Sequence, residues 1–218
     1  MIDLNHMVER FLDEAIRQCR NDGGKEDNAV IGALHDPNQS TAVRRTEVLK
    51  WLRFYSVLQG LNGADRDAVA GVIIDFADAR GAIIRNPLSE IEIIEKFNDL
   101  HDRCRSKVRL TKAETARNLT SLTSKALWCC YPHAIPIFDS YARRSLWVVS
   151  RLMGLDRPAG TDDDIPYARF VSVWLNLYGR VTIDDDRLGC YPYKVRVFDR
   201  ILWIIGQPDY GQPAATAR

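Results

Sequence analysis

The sequence predicts an all-α protein, and three observations predict it. Apolar residues recur at three- and four-residue spacing in one segment after another. The breaks between those segments carry helix caps and helix stops. No apolar–polar alternation is long enough for a sheet, RGAIIRN and RVTID being at most short extended pieces.

The elements follow in order. Leu4, Met7, Val8, Phe11, Leu12, Ala15, Ile16 and Cys19 mark one amphipathic face, which NDGGKEDN breaks, and HDPNQST is a second polar stretch. From about Val43 to Leu61 a helix buries Val48, Leu52, Tyr55 and Leu58 or their near neighbours. LNGAD ends it, and Asp65 to Arg80 forms another helix, closed by Gly81. Asn86-Pro87 opens the next, with Ser89 and Glu92 fitting a capping box and Ile91, Ile94, Phe97 and Leu100 as its apolar residues. Thr111 and Glu114 make a further capping box for a short helix that stops near Asn118. Thr123 can cap a second short helix that Pro132 must end. Asp139 caps the following helix, whose Leu146, Val149, Leu152 and Met153 face inward until Gly154. Asp164 and Pro166 start a helix through Tyr178, and the last runs from Pro192 to Gly206.

Size and composition restrict the function classes. At 218 residues the chain can be one domain or two small lobes, and its 46% hydrophobic content is ample for a core. No apolar run approaches the ~20 residues of a membrane span, and the acidic, amphipathic start is wrong for a secretory signal. Cys19, Cys104, Cys129, Cys130 and Cys190 are odd in number and lack framework spacing, so reduced thiols and a cytoplasmic setting are expected. Thirty basic against twenty-nine acidic residues leave a net charge of +1, low for a dedicated nucleic-acid binder. A local patch stands out nevertheless. Arg103, Arg105, Lys107, Arg109, Lys112 and Arg117 face Glu114 alone, either as a solvated charge run or as phosphate contacts.

The chemistry concentrates between Leu119 and Leu155. Lys125 sits at the mouth of the short apolar helix, and Asp139, fourteen positions later, opens a helix bearing Arg143, Arg144 and Arg151. A polar turn between two short helices, through Ser121, Thr123 and Ser124, can present backbone N–H groups to a phosphate. In the first helical turn the dipole disfavours an ammonium, which suits a nucleophilic amine. Asp139 follows an apolar approach bounded by two prolines, PHAIPIFD, which should hold the carboxylate firmly. Other groups favour plain roles. His101 and Cys104 lack a second ligand pair for zinc, the Asp162–Asp164 and Asp184–Asp186 runs lack calcium-loop spacing, and Trp128, Trp147, Trp174 and Trp203 read as core. Trp51, Phe54 or Tyr55 could line a base pocket.

Asp139-Ser-Tyr-Ala-Arg-Arg-Ser-Leu, continuing to Ser150-Arg-Leu-Met-Gly-Leu, resembles the segment after the catalytic aspartate of helix–hairpin–helix DNA glycosylases. Leu119-Thr-Ser-Leu-Thr-Ser-Lys-Ala is similar to that family's hairpin, and the likeness spans about 37 of the 218 residues. The run SKALWCCYPHAIPIFDS looks like a divergent bacterial branch with an oxoguanine-glycosylase-like fold. Ser121 and Thr123 replace the hairpin glycines and Thr120 its proline, so the turn is expected to be degenerate, reshaped or absent.

The resemblance implies a single two-lobed domain, with a central lobe at about 64–135. The N-terminal helices and residues 139–206 would form the other lobe, followed by a tail over 207–218. It also implies a base-excision N-glycosylase, with abasic-site lyase activity where Lys125 is the nucleophile and Asp139 the catalytic carboxylate. Ser121, Thr123, Ser124, Arg105, Lys107, Arg109, Arg143 and Arg144 would bind DNA, and no metal or organic cofactor would be required. The alternative is a non-catalytic helical module for nucleic-acid or protein interaction, in bacterial defence.

Overall fold

The structure, a computed structural model, describes residues 4–80, 88–108, 113–152 and 166–207. It is all-α, with no strand among the described residues. In chain order the helices are α1 (Leu4–Gln18), α2 (Gly24–His35), α3 (Thr41–Phe54), α4 (Gly63–Arg80), α5 (Glu90–Arg105), α6 (Ala113–Cys130), α7 (Ser140–Leu152), α8 (Tyr167–Tyr178), the single turn α9 (Asp185–Leu188) and α10 (Lys194–Ile205).

The periodicity of α1 holds: Leu4, Val8, Leu12, Ala15, Ile16 and Cys19 are buried. The expected break after it does not. Cys19–Gly23 forms a π-helical turn that passes directly into α2. Gly24 acts there as a close-approach residue rather than a stop, since a Cβ on it would stand 2.8 Å from the Cys19 carbonyl oxygen. Helix α3 ends at Phe54, earlier than expected, because Ser56 turns the chain at φ +55. The capping box on α5 is present, with Ser89 N–H donating to Glu92 at 2.8 Å and Glu92 N–H donating to Ser89 Oγ at 3.3 Å. Its buried stripe is Ile93, Phe97, Leu100 and Cys104, whereas Ile91 is 68% exposed. The stripe shares Phe97 and Leu100 with the expected one, but Ile93 takes the buried place in its first turn instead of Ile91 and Ile94.

The Gly81 stop, the Asn86-Pro87 start, the Thr111 cap, Lys112, the Met153–Asp164 stretch and the tail over 208–218 lie outside the described residues.

Helices α4, α5 and α6 pack on one another, and α10 packs on both α1 and α7. Helix α8 touches α5 and α7, while α2 leans on α6 and, with α3, on α4. Of the N-terminal helices, α1 thus packs on α10, whereas α2 and α3 pack on each other and on α4. One hydrophobic cluster joins the buried faces of these helices.

Candidate functional site

Helix α6 corrects the expected hairpin. It runs unbroken from Ala113 to Cys130, so no turn separates Asn118 from Ser124. The replaced glycines explain this, because without glycine or proline nothing between Leu119 and Tyr131 opposes helical φ/ψ. Thr123 is not a cap but a fully buried helix-interior residue, and Ser124 is equally buried. Ser121 sits one turn before Lys125 and accepts a hydrogen bond from its Nζ at 2.9 Å. Ser121, Thr123 and Ser124 thus form no phosphate-gripping turn.

What the sequence does place correctly is the carboxylate at a helix start. Asp139 Oδ1 accepts the Ala142 N–H at 2.8 Å, and its carbonyl accepts the Arg143 N–H at 3.0 Å, opening α7. The approach to it has no regular secondary structure and is held from three helices. Tyr167 on α8 donates its hydroxyl to the Pro136 carbonyl at 3.0 Å. Ile137 N–H donates to Asp199 Oδ2 on α10 at 3.0 Å, and Phe138 N–H donates to Ser124 Oγ on α6 at 3.0 Å. Asp199 also accepts Trp174 Nε1–H at 2.8 Å.

Lys125 is 7% exposed and Asp139 is half-buried. Burial pulls the Lys125 pKa down to about 8. Asp139 and Asp199 work against that shift, while Arg196 and Arg200 reinforce it. Asp199 is the mirror case. Burial pushes its carboxyl up to about 8, with Arg196 and the bonds from Ile137 and Trp174 opposing and Asp139 adding to the rise. Lys125 and Asp139 are thus electrostatic neighbours across the 131–139 connection.

The expected DNA-contact arginines divide. Arg105 and Lys107 are exposed at the end of α5 and just beyond it, while Arg109 lies outside the described residues. Arg103 is engaged, paired with Asp99 at 2.7 Å and stacked 5.7 Å over Phe76. Arg144 is exposed, donates to the Gly206 carbonyl at 3.3 Å and lies 5.9 Å over Tyr141; Arg143 is half-buried in the first turn of α7. Trp51 is not available to line a pocket, because it is buried and donates Nε1–H to Asp27 at 2.8 Å.

That bond belongs to a network the sequence reading missed. Buried Asp27 accepts from Trp51, from Tyr55 OH at 2.9 Å and from Tyr191 OH at 2.8 Å. Arg196 stacks over Tyr55 at 5.1 Å and Trp128 at 5.8 Å, with its Nε 4.0 Å from Asp27. Arg196 and Asp199 interrupt the apolar run VRVFDRILWII, and charges inside such a run were the available signal. Among the described residues no group of three or more His, Cys, Asp or Glu side chains could hold a metal. Likewise no helix among them is long and apolar enough to cross a membrane. All five cysteines are free thiols.

No family model, curated protein or solved structure matches this chain.

Proposed function

We propose that Lys125 and Asp139 form the active site of a base-excision glycosylase with abasic-site lyase chemistry. The observation that carries this reading is a buried lysine with its pKa near 8, coupled to a carboxylate fixed at a helix start. At neutral pH about one-tenth of such lysines carry a free amine pair, far more than for an ordinary lysine. In the proposed step a base flips out of the duplex. Lys125 Nζ bonds to the sugar's anomeric carbon as the glycosidic bond breaks and the base leaves with the bonding electrons. Asp139 balances the positive charge on the sugar and accepts the proton lost from nitrogen. Ring opening then gives a Schiff base. Arg105 at the end of α5, Lys107 just beyond it, and Arg143 and Arg144 on α7 supply phosphate contacts.

The alternative, a non-catalytic scaffold for nucleic acid or protein, is favoured by one observation: α6 is continuous where a phosphate-binding turn would lie. Borohydride separates the two. With DNA carrying an abasic site or an oxidised purine, it traps a covalent adduct with the parent protein and none with Lys125→Met. Asp139→Asn, which keeps the cap, lowers adduct yield at least about tenfold, in line with the loss of one transition-state charge partner. Absence of any adduct across abasic and lesion substrates leaves the scaffold as the better account.

A further inference from the structure

The segment 136–138 is bonded unusually. The backbone of three consecutive residues goes to three different helices: the Pro136 carbonyl to Tyr167, Ile137 N–H to Asp199, and both the N–H and the carbonyl of Phe138 to Ser124 Oγ, the latter accepting at 3.4 Å. Two of those partners are buried polar side chains on either side of the site. Ser124 immediately precedes Lys125 in α6, and its Oγ also donates to the Ser121 carbonyl at 3.0 Å. Ser121 is in turn the hydrogen-bond acceptor of Lys125 Nζ. Asp199, 2% exposed on α10, spends one oxygen on Ile137 and the other on Trp174, so neither carboxylate oxygen is left idle.

An extended chain with nothing but solvent at its backbone would let the residue after it wander. Here the two N–H groups directly before Asp139 are both fixed, one by the helix that carries Lys125. A buried carboxylate is a costly way to satisfy one backbone N–H and one indole, which points to a requirement beyond cohesion.

We infer that Ser124 and Asp199 are positioning residues: together they set where the Asp139 carboxylate stands relative to the Lys125 ammonium. This rests on the Lys125–Asp139 reading of the site, but its test needs no DNA. Ser124 acts from the lysine's side and Asp199 from the opposite helix, so the distance is clamped from both ends. Asparagine at 199 offers a single acceptor oxygen to two donors, Ile137 N–H and Trp174 Nε1–H, and one clamp bond is lost. Alanine at 124 releases Phe138 N–H and leaves Asp199 untouched.

The experiment is a double-mutant cycle read on Lys125 itself. The lysine Cε signal of the full chain, ¹³C-labelled and assigned with Lys125→Arg, is titrated by NMR. Asp139→Asn lowers the Lys125 midpoint by about one unit in the parent, the size expected of one nearby carboxylate. In the Asp199→Asn and Ser124→Ala backgrounds the same substitution lowers it by less than about half as much, because the carboxylate no longer stands in register. Because Asp139 also raises the Asp199 pKa, the Ser124→Ala background, which keeps both carboxyl groups, gives the cleaner comparison. If Asp199→Asn does not fold, the Ser124→Ala background decides alone. An undiminished Asp139 effect there, or no Asp139 effect in the parent, overturns the inference. A failed glycosylase reading looks different: no borohydride adduct, with the pattern of midpoints intact.

Discussion

Removing the Asp27 carboxylate tests whether the buried polar network organises this fold. The carboxylate is 1% exposed and accepts three hydrogen bonds, from Trp51 Nε1, Tyr55 OH and Tyr191 OH, that tie α2 to α3 and to the segment before α10. Asp27→Ala leaves three donors without acceptors, each costing about 1–3 kcal/mol. It also strands the Arg196 charge, whose buried partner is worth about 3–5 kcal/mol when removed. Against a total stability of about 5–15 kcal/mol, the alanine variant should be mostly unfolded in the absence of denaturant. Asp27→Asn separates the two contributions. Trp51 and Tyr55 both donate to Oδ1, which asparagine keeps, and its amide can donate to Tyr191 once that hydroxyl turns. Only the charge is lost, so the variant should fold with about 3–5 kcal/mol less stability. Urea unfolding followed by tryptophan fluorescence measures both, since Trp51 and Trp128 lie in the network. An alanine variant within about 1 kcal/mol of the parent, or an asparagine variant less stable than the alanine one, refutes the reasoning.

Gly206→Ala should lower stability by about 1–3 kcal/mol, because its Cβ would stand 2.0 Å from the Tyr141 carbonyl oxygen, a backbone atom that cannot swing aside. Gly32→Ala in α2 meets nothing within 4 Å and should raise stability by about 0.5–1 kcal/mol in the same urea assay. Stability should also bend near pH 8. With the folded Asp199 pKa raised to about 8, the native state holds more protons than the unfolded chain below that pH, so stability falls as pH rises toward it. With the folded Lys125 pKa lowered from 10.5 to about 8, the unfolded chain holds more protons between those values, so stability rises above pH 8. Thermal melts from pH 5 to 10 should show the fall vanish in Asp199→Asn and the rise vanish in Lys125→Met.

Most helices were legible because their stability comes from one apolar face, and a face writes its period into the sequence. The exceptions have physical causes. The glycine pair before Lys25 reads as a stop in any local account. Only the π-helical turn and the contact of Gly24 with the Cys19 carbonyl show that the glycine serves close packing inside a continuous path. Ile91 and Ile93 are equivalent by composition, and packing against α6 and α8 chooses between them. At the site, Lys125 and Asp139 were visible as lone charges flanking an apolar stretch. Their supports were not, because the partners are far apart in sequence. Ile137 meets Asp199 across 62 residues and Tyr191 meets Asp27 across 164. No pattern of local spacing encodes such pairs.

The unbroken α6 also changes why Lys125 should be reactive. At a helix start, the amine would owe its lowered pKa to unpaired N–H groups and the positive end of the dipole, an effect confined to the first turn. Lys125 lies instead in the last third of an 18-residue helix, nearer the end that favours a cation. The dipole therefore cannot be the cause. Its charged neighbours pull both ways, with Asp139 and Asp199 raising the pKa and Arg196 and Arg200 lowering it. Burial is the largest cause of the lowering. A lysine activated by dehydration depends on packing around α6 rather than on a glycine turn. The loss of the hairpin glycines thus removes a way of gripping phosphate without removing the means of making an amine nucleophilic. The proposed glycosylase would therefore take its phosphate contacts and its activated amine from separate parts of the chain, where the hairpin motif would join them in one turn.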